Sequence, residues 1–410
     1  MKYDVIVIGG GAAGIAAAIT AKDAGCNVAI LESTDRIGKK ILTTGNGRCN
    51  ISNEKADVTR YHSDNTDFFK DIISNFSYKD TIDFFASIGL HLKTLDSNKM
   101  YPLSLQASSV VDIFRMALED KSIDIYFNSK VNKIENKNNV FKLHINEEIF
   151  TCDKLVLCTG GKSYPKTGSD GSGYKLATSL GHKITNLIPS IVQVRLNHDR
   201  LKALSGVKFD GVAKILVNDK LVQTEEGEIL FTDYGISGPP ILQLSRVASC
   251  STLSKKNKVS LQVDLMPSMD EKALKTFIDN HLGTFGYRSI HDCFIGLINK
   301  KIIVPLLREA EVDDIHKPAW EVTWEEKCNM LKLLKSWTFE VTGTNTFNDA
   351  QVTAGGINTK DINPITLESK LVKNLYFAGE VLDVDGDCGG FNLHWCWASG
   401  IRVGKSVCNH

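Results

Sequence analysis

The sequence carries no net charge: 48 basic residues balance 48 acidic ones over 410 positions. No global field therefore draws the chain toward nucleic acid or an anionic membrane. It also lacks a long apolar run. None approaches the ~18–20 residues that span a bilayer. The first apolar run, residues 5–8, ends in glycines and is too short for a signal peptide. The expectation is a cytoplasmic protein without membrane or nucleic-acid partners. Among the ten cysteines no pair has Cys-x-x-Cys spacing. That removes the usual zinc ribbon and the usual redox dithiol. Most thiols are expected to be free, many buried as small hydrophobes. There is no internal repeat at solenoid spacing and no low-complexity tract. What remains, 42% hydrophobic and 23% charged, is an ordinary folded chain. Its length suits two or three domains, or one with an insertion.

Residues 5–8 form a continuous apolar stretch, as a buried parallel strand does. Glycines follow at once. Residues 12–24 are then rich in Ala and Ile, and Gly25 stands where a helix would stop. Residues 27–31 make a second strand that ends at Glu32. The chain thus opens with a βαβ unit. Helices are expected at 66–76, 78–88, 107–119 and 172–180. Segments 123–127, 131–134 and 140–145 read as short strands around an Asn- and Lys-rich hairpin at 132–139. Residues 155–159 are another buried strand, ending at Gly160-Gly161.

From about residue 191 the pattern changes. Short strands are expected at 191–196, 212–217, 220–223 and 259–263, and 270–335 is mostly helical. After Gly343 glycines return, and 375–380 repeats the buried strand followed by glycine. The fold class is therefore α/β. A Rossmann-like nucleotide-binding domain in two pieces, 1–190 and 341–410, is interrupted at 191–340 by an all-β and helical insertion.

Gly9-Gly10-Gly11-Ala12-Ala13-Gly14 fits G-x-G-x-x-G after a strand and before a helix, which is the context the motif needs. Gly9 permits the tight turn, Gly11 lets a pyrophosphate approach the backbone, and Gly14 lets helix and strand pack closely. The helix N-terminus offers N–H groups and partial positive charge to phosphates. Glu32, 23 positions after Gly9, stands where a carboxylate accepts ribose hydroxyls and repels a 2′-phosphate. No second such motif follows a strand. The two later strand-to-glycine turns, at 155–161 and 375–380, instead suit FAD, a long cofactor that touches several strand ends.

These motifs, with Thr44-Gly45-Asn46-Gly47-Arg48-Cys49-Asn50, Gly160 to Pro165, Phe231 to Pro239, and Tyr376 to Gly386 continuing to Gly389-Gly390-Phe391-Asn392-Leu393, resemble a family of bacterial flavoproteins. That family includes aminoacetone oxidases and a bile-acid 3-dehydro Δ4,6-reductase. The resemblance covers nearly the whole chain. It implies an FAD domain interrupted by a β-barrel and a small helical insertion at about 270–335. It implies non-covalent FAD contacts at Gly9, Gly11, Gly14, Glu32, Arg48 and Gly160, with Lys40, Val131, Gly379 and Asn392 in addition. Ala12, Ala13, Gly47, Cys49, Asn50, Gly161, Glu380 and Leu393 lie in the same motifs. The barrel motif departs from the family: Asp233 stands where His or Asn is more common, which leaves the substrate open.

Arg48 cannot lose its proton and is a candidate to stabilise a reduced, anionic flavin. Tyr164 is a candidate proton donor. Cys49, beside Arg48, is a candidate thiolate or else a packed thiol. His394, Trp395 and Trp397 either line the ring pocket or belong to a helix core. The run 383–387 opens like a calcium loop, but its twelfth position is His394 rather than Glu, so no metal is expected. The leading expectation is an FAD-dependent oxidoreductase acting on a small molecule, reduced transiently by NAD(P)H and reducing a C=C bond conjugated with a carbonyl. An oxygen-dependent amine or aminoketone oxidase is the alternative. A third reading is a flavin-containing regulator or an RNA-modifying scaffold, and neutral charge counts against it.

Overall fold

The structure, a computed structural model, describes residues 2–408. It contains two compact units, 1–188 with 350–410, and 189–349. In the first, strand β1 (Lys2–Ile8) leads into helix α1 (Ala12–Asp23) and strand β2 (Val28–Leu31). Helix α2 (Ala107–Asp120) is followed by β3 (Asp124–Tyr126), β4 (Lys133–Lys137), β5 (Val140–Ile145), β6 (Glu148–Leu157) and α3 (Ser172–Ser179). The sheet order is β3-β2-β1-β6-β5-β4. β3 pairs with β2 in parallel rather than joining the hairpin, because Ala29 to Leu31 match Asp124 to Tyr126. The hairpin is β4–β5, turning at Asn138-Asn139, both at positive φ. The helix expected at 66–76 shrinks to Lys70–Ser74, whose leading Phe69 supplies no side-chain cap.

The second unit holds β7 (Val194–Asn197), β8 (Lys208–Val217), β9 (Lys220–Phe231), β10 (Gly235–Ser237), α4 (Pro239–Thr252) and β11 (Val259–Asp264). Helices α5 (Glu271–Phe285), α6 (Lys300–Glu309) and α7 (Trp324–Ser336) precede strand β12 (Trp337–Thr344). The strands close a barrel in the order β7-β10-β9-β8-β11-β12. Phe231, Trp337 and Phe339 fill its interior, with ring centroids 5.2–6.5 Å apart. The boundary expected at 340 falls inside β12, and helix α4 was not expected. Caps set the helix starts: Asp270 accepts from the Ala273 amide, and Thr323 with Glu326 forms a capping box.

The chain then completes the first unit with β13 (Val352–Ala354), β14 (Leu375–Phe377) and helix α8 (Phe391–Ser406). α1 is buried on nearly every face, which is why its sequence is apolar all round. On α8, a Cβ at Gly400 or Gly404 would strike the Ala13 or Ala17 carbonyl, so small residues let the two helices touch. Cys26 and Cys408, 382 positions apart, form a disulfide that joins the end of α8 to the turn after α1. Cys49, Cys152, Cys158, Cys293, Cys328 and Cys396 are free thiols.

Candidate cofactor site

β1 runs parallel to β2 and to β6, and β6 runs parallel to β14. Ile8 is level with Leu31 and Leu157, and Leu157 with Phe377. The next residues along each strand therefore share one sheet edge: Gly9, Glu32, the turn through Gly160-Gly161, and Gly379-Glu380. The chain leaves β1 toward β2 on one side and later lays β6 on the other. That is a topological switch point, where open α/β sheets bind ligands.

The glycine turn has the shape its sequence implies. Gly9 sits at φ 105°, and a Cβ there would stand 2.5 Å from the Cys158 carbonyl oxygen. A Cβ on Gly14 would run into the Gly9 carbonyl oxygen. On Gly11 it would meet nothing within 4 Å. Two of these glycines are thus demanded by protein packing, and the third borders open space. α1 begins at Ala12 and Ala13 with no side-chain cap and no acid in its first turn. Open space in front of an uncapped helix start fits a pyrophosphate.

Glu32 is buried at the tip of β2. Its Oε2 accepts from the Gly10 amide at 2.8 Å and its Oε1 from the Thr34 amide at 2.7 Å. Ser33 Oγ also donates to Oε1 at 3.3 Å, and of a carboxylate's roughly four acceptor positions about one then remains for a hydroxyl. The 126–129 segment runs alongside, with the Ser129 amide bonded to the Glu32 carbonyl. Val131 follows it with its side chain in the core. A Cβ on Gly168 would lie 3.7 Å from Glu32 Oε1, so the turn beyond Tyr164 closes this end. Tyr164 itself adopts a left-handed backbone at φ 55°.

Lys40 and Glu380 meet across 340 positions: Lys40 Nζ lies 2.7 Å from Glu380 Oε2. Glu380 Oε1 accepts from the Thr353 amide at 2.8 Å. Thr353 Oγ1 in turn accepts from the Lys162 and Ser163 amides at 2.7 and 3.0 Å. Thr353 was not foreseen. Its only signal was one more apolar strand running into glycines, Gly355-Gly356. Gly379, at φ 79°, donates its amide to Ser399 Oγ and accepts from Trp395 Nε1.

The 44–50 loop is wound through left-handed conformations at Gly45, Asn46, Gly47 and Cys49. Arg48 is exposed, with its guanidinium 5.1 Å from the centroid of the Tyr101 ring. Cys49 corrects one candidacy: it is fully buried, and burial pushes its thiol up to about 12. It is a packed thiol, not a thiolate. Asn50 Oδ1 is buried with no hydrogen-bond partner among the described residues. It lies 2.8 Å from where a Cβ on Gly390 would stand, at the uncapped start of α8. An acceptor left over at such a place fits a ligand N–H. Asn392 spends its side chain on the Gly386 amide and carbonyl, fixing the loop before α8. Leu393 packs against the core.

His394, Trp395 and Trp397 belong to that core. His394 Nε2 lies 3.1 Å from the Phe76 carbonyl oxygen, so it carries the proton there. Nδ1 then accepts from Ser52 Oγ at 2.9 Å. Burial pushes the imidazole down to about 4, and it is neutral. Trp397 Nε1 donates to the Ile51 carbonyl. In the 383–387 run, Asp383 accepts from the Asp64 amide, and Asp387 meets His62 at 2.9 Å and Arg60 at 3.3 Å. Among the described residues no group of three or more His, Cys, Asp or Glu is arranged to hold a metal ion. Among them, too, no helix is long and apolar enough to cross a membrane.

A family model described as "HI0933-like protein Rossmann domain" matches residues 3–406. The chain is 36% identical over 403 residues to the 3-dehydro-bile acid delta(4,6)-reductase of Clostridium scindens, covering 98% of each protein. It is 29% identical over 400 residues to the ribosomal RNA dihydrouridine synthase of Escherichia coli, covering 97% of this chain and 96% of that protein. Among solved structures, the 3-ketosteroid-delta4-(5alpha)-dehydrogenase of Rhodococcus jostii matches with a TM-score of 0.51 at 14% identity, covering 100% of this chain and 97% of that one. The 3-ketosteroid delta1-dehydrogenase of Sterolibacterium denitrificans matches with a TM-score of 0.50 at 11% identity, covering 99% of both. These two matches are likenesses of fold.

Proposed function

The chain belongs to the HI0933-like Rossmann family, and from that premise we propose that it is an FAD-dependent oxidoreductase that reduces a C=C bond conjugated with a carbonyl. The observation that carries the cofactor is the sheet edge itself. Four parallel strand ends bring together an uncapped helix start, open space at Gly11 and the Glu32 carboxylate. The reaction class rests on the two named relatives. One name specifies reduction of carbon–carbon double bonds in a 3-dehydro steroid acid. The other specifies dihydrouridine, which is uridine whose ring C=C, conjugated with a carbonyl, has been saturated. A single chemistry covers both.

The residues divide the work by position. Gly11 and the first turn of α1 would receive the pyrophosphate, and Glu32 would accept from a ribose hydroxyl through its remaining lone pair. Asn50 Oδ1 accepts an N–H at the far end. Arg48 holds a permanent positive charge on the 44–50 loop, where it stabilises negative charge on the reduced ring. When bound, FAD would supply the hydride chemistry, with NAD(P)H as its electron donor. A small enone is favoured over a uracil in RNA, because the chain has zero formal net charge.

Anaerobic mixing with NADH and with NADPH tests the reaction. The flavin should bleach with one of them and recover its colour when an enone or dienone is added. Protein that ignores both nicotinamides, bleaches with aminoacetone and releases hydrogen peroxide in air would replace this reading with an amine oxidase.

A further inference from the structure

Thr353, which sequence reasoning passed over, bonds directly to two of the turns assigned to the cofactor and reaches a third through Glu380. Thr353 Oγ1 accepts from two consecutive amides, Lys162 at 2.7 Å and Ser163 at 3.0 Å. A hydroxyl has two lone pairs and one hydrogen. Both lone pairs are taken, so the Thr353 hydrogen goes to Ser163 Oγ, 2.9 Å away. The amide of the same residue donates to Glu380 Oε1 at 2.8 Å, and Glu380 Oε2 holds Lys40 Nζ at 2.7 Å. Thr353 and Ser163 are 1% and 0% exposed, so water does not substitute for the bonds between them. A Cβ on Gly161 would stand 2.5 Å from Thr353 Oγ1 and 2.7 Å from Glu380 Oε1. The turn after β6 has closed onto this pair as far as a glycine permits.

We propose that Thr353 is a positioning residue of the cofactor site, and that Glu380 acts with it rather than as an independent FAD ligand. Thr353 ties the turn after β6 to the turn after β14, and through Glu380 and Lys40 to the segment after β2. The inference rests on the FAD reading above. A carboxylate between a lysine and a buried amide holds those two groups at a set separation, and the threonine hydroxyl passes that constraint to the Lys162-Ser163 backbone. Removing the hydroxyl takes the acceptor from the buried Ser163 amide and from the part-buried Lys162 amide. The turn then relaxes at the place where the cofactor must touch it.

The test compares Thr353→Val, Thr353→Ser and Lys40→Met with the parent protein. Each is stripped of flavin, and each is measured for FAD affinity by fluorescence quenching, for the fine structure of the bound flavin spectrum, and for the melting temperature of the apoprotein. Thr353→Val should weaken FAD roughly ten- to a hundredfold and blur the spectrum. Thr353→Ser should bind within about threefold of the parent, since the hydroxyl survives. Lys40→Met should lose about tenfold, and combining it with Thr353→Val should add much less than that, because both cut one chain of bonds. Full FAD affinity in Thr353→Val, even with a lowered melting temperature, overturns the proposal. So does a Thr353→Ser protein as weak as Thr353→Val. If Thr353→Val does not fold, the serine and Lys40 variants decide, and an unchanged affinity in Lys40→Met overturns it. A parent protein that takes up no FAD sinks the cofactor reading itself, a separate outcome.

Discussion

Where the parallel strands of the first unit end, the chain turns on glycine and leaves open space. Where the barrel strands of the second unit end, they run into hairpins and helices that close on themselves. Gly11 borders nothing within 4 Å, and α1 starts without a side-chain cap. In the second unit α5 and α7 both start under side-chain caps, and the barrel interior is filled by Phe231, Trp337 and Phe339. Glu326, the base of one cap, is also held by Lys317 at 2.7 Å. Among the described residues both units hold buried polar atoms without a partner, Thr232 Oγ1 and Trp337 Nε1 in the second, but in the first Asn50 Oδ1 stands beside the uncapped start of α8. Open space at the strand-end turns of the first unit is the feature on which the proposed cofactor site rests.

Glycine-to-alanine changes break the contrast most sharply. Gly14→Ala should be the most damaging, because its methyl meets the Gly9 carbonyl with nowhere to go. We expect loss of soluble folded protein or of all FAD binding, read by circular dichroism and flavin content. Gly11→Ala separates folding from binding. Its backbone is extended and its methyl meets only open space, so the melting temperature should stay within a few degrees. FAD affinity should nevertheless fall by more than about tenfold, since buried or crowded charged hydrogen bonds contribute about 1.5–3 kcal/mol.

How much of this was legible depended on the kind of strand. Residues 5–8 and 375–377 are buried on both faces and read as unbroken apolar runs before glycine, so the strand ends and Glu32 stood out. β9 did not. Its burial alternates, and its middle, Thr224-Glu225-Glu226-Gly227-Glu228, is polar, so only its first four residues looked like a strand. Helix α4 was hidden behind Gly238-Pro239-Pro240, which reads as a turn although Pro is well placed at a helix start. Long-range pairs carried no local signal. Lys40 with Glu380, Thr353 with Lys162, and Cys26 with Cys408 join residues hundreds of positions apart, and no periodicity announces them. Cys49 was ambiguous because a neighbouring arginine suggests a thiolate; burial decided otherwise.

A pH experiment sharpens the same comparison inside the first unit. His394 titrates near 4 when folded, against 6.5 for an ordinary histidine. Between those values the unfolded chain takes up a proton that the folded protein refuses, so stability falls as pH drops through that window. The full effect is about 3 kcal/mol at ~1.4 kcal/mol per pH unit. Asp383 works in the opposite sense: burial lifts it from 3.8 to about 6, so its cost is relieved as pH falls through the same range. Urea titrations at pH 7 and pH 5 should show a reduced acid loss in His394→Asn and an enlarged one in Asp383→Asn. Equal slopes in both variants would remove these two groups from the account.

The smallest effect belongs to the second unit. Gly283 lies inside α5, and a Cβ there meets nothing. Gly283→Ala should stabilise the protein by up to about 1 kcal/mol, from helix propensity alone. FAD affinity should not change. A shift in affinity would mean that the second unit contributes to cofactor binding.

The most direct measurement is the flavin content of the purified, unmodified protein. It should be yellow, and heat or acid should release the cofactor without any covalent remainder on the chain. Chromatography should identify it as FAD rather than FMN, because the roles proposed for Glu32 and the α1 start require an adenosine diphosphate end. Colourless protein that also fails to take up added FAD would contradict the account, and release of FMN alone would remove the role assigned to Glu32.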